Sequence, residues 1–144
     1  MVFKENNIKV LLKYDGEREK NLFTIVFYDM LDLASENTLR RDTDKPYDVY
    51  FEFMRIKGIQ ELDCELLDFF IHSTESLIKT LGRKMIFIIT MGSEAQCYLY
   101  VNDPASGAYR QIYASKGSSH IEFTEFLETI NAKQGISLAG LSFE

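Results

Sequence analysis

Four carboxylates and one histidine recur at a spacing that could serve chemistry: Glu61, Glu65, Asp68, His72 and Glu75. On a helix turning 100° per residue they project within about 40° of a common line, opposite the apolar positions of the same stretch. No Lys or Arg stands between Lys57 and Lys79, so the stripe lacks the i,i+4 ion pairs that ordinarily relieve like charge on an exposed helix. Its charge is left for water or for an outside partner. A Lys/Arg-rich protein surface fits such a stripe, because complementary potentials speed encounter and exclude wrong partners. A solvated polar face is the alternative. Carboxylates also work as acid and base on glycosidic bonds, but that chemistry needs one pair at a fixed separation, and nothing singles out a pair among the 22 acidic residues.

Other chemistry-bearing residues are thinner. Lys116-Gly117-Ser118-Ser119 stands before a helix-opening pattern, where free backbone N–H groups could hold an anion. The eight-residue phosphate loop ending in Gly-Lys-Ser/Thr is missing, as is G-x-G-x-x-G, and ordinary capping by Ser119 accounts for the segment. A metal would need Cys64, Cys97, His72 and His120 to converge, with no C-x-x-C or H-x-x-x-H spacing to bring them together. Cys64 and His72 point roughly 80° apart on their shared helix. No metal and no cofactor is expected. Cys97 with His72 or His120 could form a thiol nucleophile and its base, but a cysteine inside an apolar strand is ordinarily a small core residue. No catalytic constellation emerges, and the chain reads as a binder before an enzyme.

Tyrosines form a further candidate. Strand alternation puts Tyr98 and Tyr100 on one face and Tyr109 and Tyr113 on one face. They form either an open platform of the kind that anchors protein interfaces or a covered face with rings buried and hydroxyls wet.

The elements that must position these groups follow from periodicity. Ile8–Tyr14 and Leu22–Tyr28 flank Asp15-Gly16 and read as a hairpin with a long loop; a helix over Leu22–Ala34 is the rival for the second run. Ser35–Pro46 is polar and charged and reads as an exposed loop. Val49–Ile56 alternates Val49, Phe51 and Phe53 against Tyr50, Glu52 and Met54, the pattern of a strand. From Ile59 to Leu81 the apolar residues follow helical spacing, and Gly82 is placed to end that helix. Met85–Met91 has the length of a buried central strand. Gln96–Val101 and Tyr109–Ala114 flank a turn containing Pro104 and Gly107. Ser119 and Glu122 make a capping box ahead of Phe123, Phe126, Leu127 and Ile130, with a stop near Gly135, and the last nine residues could add a short edge strand. The expected architecture is a single α+β domain over 1–144, with a largely antiparallel sheet of about six strands in the order β-β-β-α-β-β-β-α and two helices packed on it.

Length and composition bound the function class. A chain of 144 residues with 46% hydrophobic and 26% charged residues can bury a core and is far from the composition of disorder. The N-terminus lacks the layout of a secretory signal. The longest apolar runs fall far short of the roughly 20 residues a spanning helix needs, so no membrane is expected. Two cysteines without paired spacing suit a reducing compartment, so a cytoplasmic location is expected. A net charge of -6 opposes attraction to phosphate backbones, so no nucleic acid is expected.

The hairpin around Gly107, followed by Phe123 and Phe126-Leu127 on a capped helix, resembles the C-terminal part of SUKH-type bacterial immunity proteins. The likeness covers about a quarter of the chain and rests on generic residues. The helical N-terminal portion of that superfamily has no counterpart here, and no residue role is carried across. Size, acidity and the carboxylate stripe point to a small acidic protein-binding protein, foremost an immunity or inhibitor protein that neutralises a basic toxin such as a nuclease. A secretion-type chaperone or adaptor holding a segment along an apolar groove is the alternative. A small-ligand domain or an enzyme comes third.

Overall fold

In the computed structural model, residues 7–31, 38–59, 64–92, 95–103, 105–116 and 125 are described. Ile8, Val10, Leu12 and Tyr14 alternate with Lys9, Leu11, Lys13 and Asp15, and only the first set is fully buried, which makes β1 (Ile8–Asp15) a strand with one face in the core. It is followed by β2 (Phe23–Asp29), β3 (Leu39–Thr43), α1 (Pro46–Ile56), α2 (Glu65–Leu81), β4 (Met85–Met91), β5 (Ala95–Asn102) and β6 (Tyr109–Lys116). The strands form one sheet in the order β3-β2-β1-β4-β5-β6, with every neighbouring pair antiparallel. The α+β class, the number of strands and both hairpins match the expectation. Leu22–Tyr28 takes the strand alternative. The capping box at Ser119 and the final nine residues lie outside the described residues.

Two segments differ in type from their sequence reading, and the long helix, expected from Ile59, begins at Glu65. Val49–Ile56 is helical, as part of α1. The alternation noticed there coexists with a second periodicity: Pro46, Val49, Tyr50, Phe53 and Met54 fall at helical spacing and are the residues α1 buries. Pro46 sits in the first turn, where its missing N–H costs nothing. Asp48 in the first turn and Arg55 in the last complement the helix dipole. The third strand instead lies inside the stretch read as a loop. β3 is the sheet margin, bonded only to β2, so a five-residue run with Arg40, Arg41 and Asp42 suffices.

The register shows which side chains share the core face. Val10, Leu12 and Tyr14 stand opposite Phe27, Ile25 and Phe23 on β2, and opposite Met91, Ile89 and Phe87 on β4. Cys97, Leu99 and Val101 extend this face onto β5. Helix α1 lies over β2 and β3, and α2 over β4 and β1. Aromatic rings join the layers. Phe27 meets Tyr50 and Phe53 of α1 edge-on, both at 5.6 Å. Phe70 of α2 stacks on Phe87 at 5.3 Å and meets Phe23 edge-on at 6.0 Å.

The end of β1 is tied tightly to the start of β4. The Gly16 N–H donates to the Met85 carbonyl at 2.8 Å, and the Tyr14 hydroxyl donates to the Arg83 carbonyl at 3.1 Å. A Cβ at Gly16 would lie 1.8 Å from the Arg83 carbonyl oxygen, a backbone atom that cannot step aside alone. Gly16→Ala is therefore expected to destabilise the fold by about 3 kcal/mol, the upper part of the usual overpacking range. Gly92→Ala, whose Cβ would sit 3.4 Å from a Lys9 side-chain carbon, should cost less than about 1 kcal/mol. Urea unfolding midpoints of the two variants provide the comparison.

Candidate functional site

The rotation of α2 decides which of its acidic residues face outward. Leu66, Leu67, Phe70, Ser73, Thr74 and Leu77 form its buried side, and Thr74 needs no outside partner because its hydroxyl donates to the Phe70 carbonyl at 2.8 Å. With that side packed on the sheet, Glu65, His72 and Glu75 are exposed and Asp68 is half-buried. The helix-long stripe thus stands as a geometric feature for these four residues; Glu61 lies outside the described residues. By helical arithmetic Lys79, also exposed, falls on the same line at i+4 from Glu75, so the expected lack of an i,i+4 cation does not hold for Glu75, and the stripe closes with a positive charge.

Asp68 is not a loose surface carboxylate. The Tyr47 hydroxyl, from the first turn of α1, donates to its Oδ1 at 2.5 Å, and the Cys64 thiol donates to its Oδ2 at 3.4 Å. The Tyr47 bond, then the Cys64 bond, hold the Asp68 carboxyl below its usual range against desolvation, and His72 adds a smaller effect in the same direction. Tyr47 moves the other way, pushed up to about 12 by burial and then by its bond to Asp68. The pair therefore stays as phenol and carboxylate through neutral pH. It fastens the start of α1 to the start of α2 and fixes one negative charge in the middle of the stripe. Nothing in the spacing of Tyr47 announces this role, because it depends on Pro46–Ile56 being a helix.

A second polar network escaped the sequence reading. On the sheet face turned away from the helices, Arg18 pairs with Asp15 at 3.6 Å and with Asp42 at 3.3 Å, while Lys13 meets Asp15 and Arg40 meets Asp42, each at 3.6 Å. The buried Thr24 sits beneath it, accepting from Arg18 at 2.9 Å and donating to Asp42 at 2.6 Å. The Thr24 bond, then Arg18 and Arg40, lower the Asp42 pKa. Partly exposed pairs of this kind contribute about 0–1 kcal/mol each; satisfying Thr24 and covering this corner is the structural role the geometry gives them.

The remaining candidates separate. Cys97 is buried on the core face of β5, and burial pushes its thiol up to about 11, which keeps it protonated and unlike a nucleophile. Among the described residues no group of three His, Cys, Asp or Glu side chains is arranged to hold a metal ion. His120 and Gly117-Ser118-Ser119 lie outside the described residues. Tyr98 and Tyr100 share the face away from the helices, as alternation requires. Tyr109 and Tyr113 do not share a face: the β5–β6 register slips between Leu99 and Tyr100, pairing Leu99 with Tyr113 but Asn102 with Tyr109. The extra residue is Ile112, and this bulge resets the alternation.

Two measurements check the local chemistry. The Asp68 carboxyl has a lowered folded pKa, so its stabilising contribution is present above the unfolded value near 3.8 and is lost as pH falls through the folded value. Tyr47→Phe should raise the Asp68 titration midpoint, read by NMR, and reduce the acid-limb dependence of stability. In a thiol-reagent assay of the native protein, half-buried Cys64 should react while Cys97 is protected until unfolding. Two equally fast thiols would contradict the burial of Cys97.

Among the described residues no helix is long and apolar enough to cross a membrane. Compared with known proteins, the chain matches no family model, no curated protein and no solved structure.

Proposed function

We propose that the chain is a protein-binding module that docks a basic protein on the outward face of α2, acting as an immunity or inhibitor protein toward a toxin such as a nuclease. The observation that supports it is the electrostatic make-up of that face. Glu65 and Glu75 are exposed on either side of Asp68, whose charge Tyr47 and Cys64 hold in place. A nuclease must attract phosphate, so its site is basic, and a fixed acidic strip can occupy it by the same attraction. The role is binding, with no reaction assigned to the chain and a cytoplasmic setting to match.

A second reading, a secretion-type chaperone or adaptor, is favoured by a different observation. The sheet face opposite the helices carries half-buried Leu11, Ile86, Ile88, Tyr98 and Tyr100, brought together by the pairing of β1, β4 and β5. Apolar surface of that kind suits a partner's apolar segment.

Capture of partners from the source lysate separates the two. On the first reading one basic protein is retained at low salt and released at high salt, and Glu65→Lys with Glu75→Lys weakens retention by about tenfold or more. Ile88→Asp, on the opposite face, leaves it unchanged. Retention that ignores the double charge reversal but is lost with Ile88→Asp overturns the first reading in favour of the second.

A further inference from the structure

We draw no further inference here: the strongest candidate, the apolar face of the sheet turned away from the helices at Leu11, Ile86, Ile88, Tyr98 and Tyr100, carries nothing beyond the second reading above, because nothing among the described residues shows what covers it.

Discussion

The pairing of β1 with β4 is the joint on which the rest of the sheet depends. Every other strand pair joins neighbours in the sequence, β1 with β2, β2 with β3, β4 with β5 and β5 with β6. Among the described strands only β1 and β4 bring distant parts together; the Tyr14 hydroxyl and the Arg83 carbonyl that it meets are 69 residues apart. Closing a loop of that size costs entropy before any contact offsets it. The favourable terms are concentrated at the joint: Val10, Leu12 and Tyr14 meet Met91, Ile89 and Phe87 on the core face, and Gly16 lets the two backbones meet without an intervening side chain. Both described helices lie within the closed loop; α2 packs on the two strands that close it, and α1 on β2 and β3 beside them. Phe70 reaches Phe23 on one side of the joint and Phe87 on the other, so the burial of α2 and the closure of the sheet support one another.

This arrangement explains which parts were legible in the sequence. Strands with one buried face and a short connection, such as β5 and β6, declare themselves by alternation and turn residues, and the long helix by its 3.6-residue period with Gly82 behind it. The helix does end at Gly82, whose φ of 84° is positive and suits glycine, although its ψ of 175° is extended and not left-handed helical. The exchange between β3 and α1 has a physical cause. Val49–Ile56 is so rich in apolar residues that it satisfies two periods at once, and only the wider pattern beginning at Pro46 separates them. Arg40, Arg41 and Asp42 make β3 look like loop because a strand with one neighbour need not be apolar. The Tyr109 and Tyr113 expectation failed for a subtler reason, since a single inserted residue in a strand leaves no mark in composition.

Within the candidate site, the sequence located the residues but not their bonds. The line through Glu65, Asp68, His72 and Glu75 follows from helical geometry, which is why it survives in three dimensions. What spacing could not reveal is that the four differ. Asp68 is held by Tyr47 across the junction of two helices, whereas His72 and Glu75 are exposed, so the Asp68 charge is structural as well as electrostatic. A fixed charge loses little side-chain freedom when a partner approaches, whereas a mobile one must be ordered. Asp68 is thus preorganised.

The charged margin of the sheet has its own consequence. An uncapped strand edge is a template on which another chain can add a strand, the first step of amyloid-like growth. At β3 the template is spoiled: Arg40 and Asp42 are exposed, and Arg41 lies over the Phe53 ring, its guanidinium carbon 5.5 Å from the centroid, while pairing with Glu52 of α1. A chain adding itself there would have to desolvate these charges. The residues that hid β3 from sequence reading are the ones that make its edge a poor template for a further strand.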